Sequence, residues 1–444
     1  MVKFFWLLIF ILPFILSSSF AAENDTLFYK DNFSLIVDSI IIKGNDITEE
    51  SIILREMTFT IGDTLNPELA EYNRERIYSL NIFNEVKLVP FKTSGINYLL
   101  IDITESWYIY PLPFITLKDR DWEKLSYGVA VSIRNFRGRN ETLIGSLALG
   151  YDPSINLIYR NPNLIYDQNI FLSTNLSYNK VTNRSDEAEL LHGSQFEQKI
   201  IGGNLVIGKR FGLFHRVSLT GSFDYIESPF YLPGVNASDS RIDRLVTLGT
   251  QYTYDTRDLI QYPSNGLFVL LGYNFKGIGI DNINYRVMDF DLREYRTFFD
   301  HLTAKWRFGL RHTYGNVPYY DYSYLGLSER IRGYFFNSKR EGNSLMIGSV
   351  ELNYPIIKEA RINLDFIPLL PKSLLSYRFA LIAELFADTG TTWYRNESVS
   401  TKKFDTGYGA GLSVLLLPYA IIRIEAAIND NGKSEFIFDI GTSF

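Results

Sequence analysis

From Trp107 to Phe444 the chain alternates apolar and polar residues with a period of two, and the helical period is absent. Between Leu302 and Leu310 every second residue is apolar, while Lys305 and Arg307 belong to the other set. The same pattern runs through residues 346–354 and 377–385. Charge in a sandwich core must be paired, whereas charge lining a water-filled lumen carries no such penalty. The pattern therefore predicts a transmembrane antiparallel β-barrel, with apolar residues toward lipid and charged residues inward.

The predicted barrel spans residues 107–444 and holds about sixteen strands, an even number as bacterial single-chain barrels have. Aromatic residues make up 15% of the chain, and the mean hydropathy is −0.04, both typical of such barrels. Beyond the amino terminus the longest apolar run, Val414 to Ile422, is about half of the roughly 20 residues that a spanning helix needs. The fold class is therefore mainly β.

Residues 1–22 have the features of a secretory signal peptide. Lys3 precedes an apolar stretch that continues to Leu16, and small residues lead to cleavage near Ala21 or Ala22. The alternative, an uncleaved anchor helix, is disfavoured because the run is short and no stop-transfer pattern flanks it. We expect an exported chain, although it contains no cysteine for disulfides.

Residues 25–106 predict one small α+β domain with the order β-α-α-β-β. Ile36–Ile42 reads as a strand, Asp46 and Glu49 have capping-box spacing, and a short helix is expected to continue through Met57. A second helix follows the Asn66-Pro67 pair, and two strands close the domain.

That order resembles a POTRA domain, the periplasmic module of outer-membrane assembly and secretion barrels. Its marks have counterparts in Ile40-x-Ile42-x-Gly44-Asn45 and in Leu80-x-x-Phe83-x-x-Val86. The resemblance implies that the domain offers a strand edge to client polypeptides. The alternative is a plain α+β domain that acts as a plug or spacer.

A loop of roughly 30 residues joins two predicted strands, and its centre is Ser328–Phe336. Such loops are more often functional than idle, and this one combines arginines, glycine and aromatics. We expect it to fold into the lumen, although a solvated surface loop stays open. The strand that ends at Gly390 places Glu384, Phe386 and Asp388 inward.

Four stretches together resemble the POTRA-plus-barrel outer-membrane superfamily, the bacterial surface antigen type that contains BamA, TamA and FhaC. They are the loop residues Arg332, Gly333 and Tyr334; the wall residues Phe386, Asp388 and Gly390; the junction Tyr254–Gly266; and the final strand with Phe436, Phe438, Ile440 and Phe444. The resemblance implies that Arg332 pairs with Asp388, with Tyr334 and Phe386 packed around the pair. It also implies that the terminal strand, predicted to run to Phe444, is the signal for membrane insertion.

Signals of chemistry are weak in this sequence. Gly203–Arg210 nearly spells a phosphate-binding loop, but Arg210 stands where Ser or Thr should hold magnesium. The four histidines lack metal-ligand spacing. Inward Glu351 and Glu384 are expected to pair with Arg307 or Arg311. The sequence predicts neither an enzyme nor a cofactor.

The predicted partners are the outer membrane and client polypeptides, bound through the POTRA-like domain. The net charge of −6 argues against nucleic acid. Three functions stay open from the sequence: assistance in inserting or translocating client proteins, a two-partner-type secretion pore for one exported protein, and a passive pore or structural surface antigen.

Overall fold

The computed structural model describes residues 33–444, apart from 119–121, 232, 234–235, 279, 300, 327–328, 335–339, 365 and 368–370. The predicted signal peptide lies outside the described residues. The amino-terminal domain contains β1 (Leu35–Ile36), β2 (Ser39–Lys43), α1 (Glu50–Leu54), β3 (Thr64–Leu65), α2 (Pro67–Tyr78), β4 (Phe83–Thr93) and β5 (Ile96–Glu105). Strand β5 pairs in parallel with β2 and antiparallel with β4, and α2 packs on β4.

The predicted elements follow one another as expected, with the short β3 added between the two helices, but three details of the prediction are wrong. The predicted first strand is two strands, because β1 pairs with β3 while β2 pairs with β5. Helix α1 ends at Leu54 instead of continuing to Met57, since the amide of Met57 bonds the carbonyl of Leu54 in a tighter turn. Asp46 does not cap α1, which begins after Glu49. Asn66 does cap α2, accepting a hydrogen bond from the amide of Leu69 at 2.7 Å.

Within the described residues, sixteen antiparallel strands form one continuous sheet, as the sequence predicts. They are β6 (Ile109–Leu117), β7 (Leu125–Phe136), β8 (Glu141–Gly150), β9 (Ser154–Ile165), β10 (Ile170–Thr182), β11 (Glu197–Phe211), β12 (His215–Glu227), β13 (Ile242–Asp255), β14 (Gly266–Lys276), β15 (Tyr285–Phe298), β16 (Leu302–Gly315), β19 (Ser344–Asn363), β20 (Ser376–Trp393), β21 (Asp405–Leu417), β22 (Ala420–Asn429) and β23 (Ser434–Ile440). The short strands β17 (Ser323–Leu325) and β18 (Arg340–Gly342) pair with each other between β16 and β19, and α3 (Asp186–His192) lies between β10 and β11.

The two faces of the sheet differ as the alternation predicts. In β19, Val350 and Leu352 are exposed on the outer face, while Glu351 and Asn353 are buried inside. Glu384 and Asp388 of β20 are likewise buried. None of the helices in the described part of the chain has the length and hydropathy to cross a membrane.

The first and last strands of the sheet, β6 and β23, are its two ends. Each pairs with one neighbour, and among the described residues no backbone register joins them to each other. The sheet therefore has two edges whose outward backbone groups are not paired within the ladder.

The amino-terminal domain packs against the end of the barrel to which the strand junctions 137–140 and 256–265 belong. Glu75 of α2 accepts two hydrogen bonds from Arg378 of β20, both at 2.7 Å. Ser79 binds the junction at Asp258, and the amide of Ile260 donates to the Ser79 hydroxyl at 3.0 Å. A continuous apolar cluster joins the domain core to Leu259 and to wall residues of the barrel.

The carboxyl terminus differs from the prediction. Strand β23 ends at Ile440 and not at Phe444, because Gly441 adopts a φ of 110° that turns the chain. Phe436, Phe438 and Ile440 remain exposed on the outer face. Phe444 instead places its ring 6.4 Å from that of the buried Tyr295.

Candidate functional site

The described part of the long connection between β16 and β19 folds back against the inner wall. Its Ile331 is 1% exposed and packs with Leu325, Leu345 and Ile347. Glu329, two residues earlier, binds Arg307 of β16 at 2.8 and 2.9 Å. Apolar packing of Ile331 and the ion pair of Glu329 therefore hold the residues just before Arg332 against the wall.

Arg332 makes the densest set of polar contacts among the described residues of this connection. Its Nε and Nη2 donate to the two carboxylate oxygens of Asp388 at 2.6 and 2.7 Å, and its backbone amide donates to Asp388 at 3.1 Å. Its Nη1 donates to Glu351 at 2.7 Å and to Glu425 at 3.0 Å. All four side chains are at most 4% exposed. One guanidinium thus joins three neighbouring parts of the wall, strands β19, β20 and β22.

Two aromatic residues lie near this pair in different ways. Phe386 is 5% exposed, and its ring centre is 3.7 Å from the Arg332 guanidinium carbon. This cation–π contact stabilises the guanidinium charge against the ring. Tyr334 does not pack around the pair as expected. It packs beside Ile331, and its hydroxyl donates to Asp430 at the turn between β22 and β23.

Sequence reasoning missed a row of glycines that makes room for the connection. Gly407, Gly409 and Gly411 occupy alternate positions of β21 on its inner face, opposite Asp388, Phe386 and Glu384 respectively. A Cβ atom at Gly407 would collide with the carbonyl of Arg332, and one at Gly409 would lie 2.8 Å from the Phe386 ring. The signal was present in the sequence as Gly-x-Gly-x-Gly at the strand period.

Gly390 and Gly333 also permit close approach. A Cβ atom at Gly390 would lie 3.2 Å from Ile331 Cδ1. Gly333 has a φ of 97°, and its carbonyl accepts from Asn429 at 3.0 Å. The left-handed conformation favours glycine there.

The expected partners of the inward glutamates are wrong. Glu351 pairs with Arg332, and Lys305 Nζ lies 4.0 Å away, while Glu384 accepts from the Ser413 hydroxyl at 2.9 Å. Arg307 instead binds Asp291 and Glu329, and Arg311 binds Asp321. Alternation along each strand correctly predicts that these charged side chains point inward. It does not predict the register between strands, which determines the partner of each side chain.

No group of three or more His, Cys, Asp or Glu side chains in the described ranges is arranged to hold a metal ion. The contacts around Arg332 instead fix the connection to the barrel wall through ion pairs, side-chain packing and close backbone approach.

Comparison with known proteins decides the family. The Omp85 superfamily domain matches residues 135–444, and a POTRA domain, described as the surface antigen variable number repeat, matches residues 35–106. The chain belongs to the Omp85 superfamily. It is an outer-membrane barrel with a periplasmic POTRA domain.

A curated relative is the outer membrane protein assembly factor BamA of Neorickettsia risticii (strain Illinois), 24% identical over 418 residues. The alignment covers 88% of this chain but 52% of that protein, so the chain spans about half the length of this relative.

Two solved structures share the fold. One is BamA from Haemophilus ducreyi lacking POTRA domains 1-3, with a TM-score of 0.52 and 16% identity, covering 92% of this chain and 84% of that chain. The other is CdiB from Escherichia coli, with a TM-score of 0.55 and 13% identity, covering 91% and 74%.

Proposed function

We propose that this Omp85 protein assists the insertion or translocation of client polypeptides at the outer membrane, without chemistry of its own. The similarity to an outer membrane protein assembly factor supports this function. In this proposal the periplasmic POTRA domain receives the client, and the barrel passes it into the membrane.

The observation that carries the proposal is the attachment of Arg332 to Asp388, Glu351 and Glu425. The connection occupies the inner wall of strands β19 to β22, next to the terminal strand β23. A passive pore does not require a connection anchored to its inner wall. A protein that handles clients requires a fixed element beside the strand that contacts them. We assign this role to Arg332, Gly333 and Tyr334 with Phe386, Asp388 and Gly390.

The free edges of β6 and β23 fit the same function. Backbone groups left unpaired in a bilayer are costly, so an open edge favours pairing with another strand. A client strand arriving beside β6 can satisfy those groups by strand addition. This step would insert a client into the membrane plane, whereas a secretion pore would use the lumen.

The test is reconstitution of the full chain into liposomes, with a urea-denatured barrel protein as client. We expect protease-protected, heat-modifiable client to form with the wild type and to fall severalfold with Arg332→Ala. Arg330→Ala is the matched control, because Arg330 is more exposed and lies 3.5 Å from Asp439. Client folding no faster than in empty liposomes would sink the assembly function. Export of one soluble protein through the lumen, without barrel insertion, would favour a secretion pore.

A further inference from the structure

A cavity of about 340 Å³ lies between the POTRA domain and the inner ends of strands β8 to β13. Its size falls within the usual range of ligand-binding pockets. Six arginines line it against three carboxylates, so the wall carries an excess of three positive charges. Such an excess at an enclosed surface attracts an anion.

The first carboxylate, Glu56, is already occupied. It accepts from Arg210 at 2.5 and 2.8 Å and from Arg76 at 2.8 Å, and Arg55 lies 3.7 Å away. The single negative charge of Glu56 is therefore shared among three guanidinium groups and cannot neutralise all of them.

The other two carboxylates are also committed. Asp255 binds Arg257 at 2.8 Å, and Asp258 accepts from the amides of Leu259, Ser264 and Asn265. Asp255 also interacts with the charge of Arg216, but more weakly than with Arg257.

Arg160 of β9 and Arg216 of β12 line this cavity, and the Arg216 charge interacts with Glu56 and Asp255 without a direct contact to either. Among the described residues, neither side chain makes a hydrogen bond or an ion pair, and both residues are exposed where they line the cavity. Arg55 adds a buried Nε that has no acceptor. Burial lowers the pKa of Arg55, and the charges of Arg210 and Arg216 lower it further against the opposing effect of Glu56.

The remaining wall is apolar and includes Phe171, Leu213 and Phe214. A ligand that fits must therefore carry both an anionic group and apolar neighbours. Guanidinium forks match the two oxygens of a carboxylate.

The position of the cavity favours a polypeptide over a lipid. Arg160, Arg210 and Arg216 lie on the inner face of their strands, whereas lipid contacts the outer face, where Ile155 and Leu157 of β9 are exposed. The POTRA side faces the periplasm, from which unfolded chains arrive.

We propose that this cavity binds a carboxylate flanked by apolar side chains on a client polypeptide. Arg160 and Arg216 would donate the hydrogen bonds to that carboxylate. The inference rests on the proposed handling of clients, and it adds a capture site at the entrance of the barrel.

The probe is a pair of dansyl-labelled, carboxyl-amidated peptides that alternate Val and Thr around a central Phe-Asp or Phe-Asn. They are titrated against the full chain in a neutral maltoside detergent. We expect the Asp peptide to bind roughly tenfold more tightly than its Asn twin, as charged hydrogen bonds allow. The Arg160→Gln/Arg216→Gln variant should lose that difference, and Arg216→Gln alone should lose part of it.

Arg244→Gln is the matched control, because Arg244 lies at the opposite end of β13 from Asp255, is half exposed and does not line the cavity. It should keep the full difference. Equal binding of the two peptides, or a difference that survives the double variant, would overturn the proposal. Displacement of both peptides alike by short-chain phosphatidylglycerol, dependent on the two arginines, would overturn it in favour of a lipid headgroup. Client insertion in liposomes is measured on the same variants. It separates failure of the cavity proposal from failure of the proposed assembly function.

Discussion

Tyr262 of the junction between β13 and β14 places its ring centre 3.7 Å from the ammonium group of Lys305 on the barrel wall. Asn353, with its amide oxygen turned toward both groups, accepts from the Tyr262 hydroxyl and from Lys305, each at 2.8 Å. Lys305 in turn lies 4.0 Å from Glu351, which binds Arg332. The periplasmic junction and the inserted connection therefore meet at one buried charge cluster.

Tyr262 should stabilise that cluster in two separable ways. Tyr262→Phe removes only the hydroxyl, whereas Tyr262→Ala also removes the ring over Lys305, an interaction worth roughly 0.5 to 2 kcal/mol. We expect the Ala variant to lower the free energy of unfolding by more than the Phe variant, measured by tryptophan fluorescence in guanidinium. Tyr166→Ala, at an exposed junction, serves as control. Equal losses in both Tyr262 variants would show that the ring contact contributes nothing.

The pairing of Arg332 and Asp388 can be measured by a double-mutant cycle. Removing one partner of a buried ion pair costs roughly 3 to 5 kcal/mol, because the other charge stays uncompensated. Arg332→Ala should cost more than Asp388→Ala, since it also removes a cation from Glu351 and Glu425, which keep only Lys305 at 4.0 Å and Arg423 at 3.0 Å among the described residues. The two changes together should cost less than their sum. Additive losses in the unfolding free energy would mean that the two residues do not interact energetically.

Gly407 tests the close backbone approach without touching a charge. Gly407→Ala places a methyl group against the carbonyl of Arg332, so the connection must move off the wall. We expect a loss of roughly 1 to 3 kcal/mol, typical of overpacking, and faster proteolysis of the connection. Gly145→Ala in β8 is the matched control, because no atom lies within 4 Å of the added carbon. If the two alanine variants resist protease equally, Gly407 is not a contact point.

The sequence predicted which side chains of β20 face the connection. It did not predict the further partners of Arg332 or the course of the chain after Ile440. Period-two parity placed Glu384, Phe386 and Asp388 inward, because parity depends only on neighbours along one strand. The additional partners Glu351 and Glu425 lie 19 and 93 residues from Arg332, and only strand register brings them together. The inward turn at Gly441 depends on a single φ angle, which alternation does not encode.

Glu56 gives the docked POTRA domain a pH dependence. Burial alone would raise the pKa of Glu56, but Arg210, Arg76 and Arg55 together lower it below the ordinary value of 4.5. Because the pKa is lower in the folded state, the stabilisation is fully present above about pH 4.5 and is lost as the pH falls through the folded value. The wild type should therefore lose thermal stability below about pH 4.5 more steeply than Glu56→Gln.

Glu50→Gln is the control for this titration, since Glu50 is exposed on α1. Its acid profile should follow the wild type. Identical profiles for the wild type and Glu56→Gln would show that docking does not depend on the Glu56 charge.

Deleting Phe444 separates folding from recognition. Strand β23 pairs with β22 up to Ile440, so the deletion leaves the strand pairing intact and removes the ring contact with Tyr295. We expect the variant to refold in detergent micelles with normal heat-modifiability, yet to accumulate in the periplasm of cells, as the predicted insertion signal that includes Phe444 requires. Phe444→Tyr keeps an aromatic terminus and should reach the membrane. Normal membrane levels of the deletion would contradict the signal role, and failure to refold in micelles would assign Phe444 a structural role against Tyr295 instead.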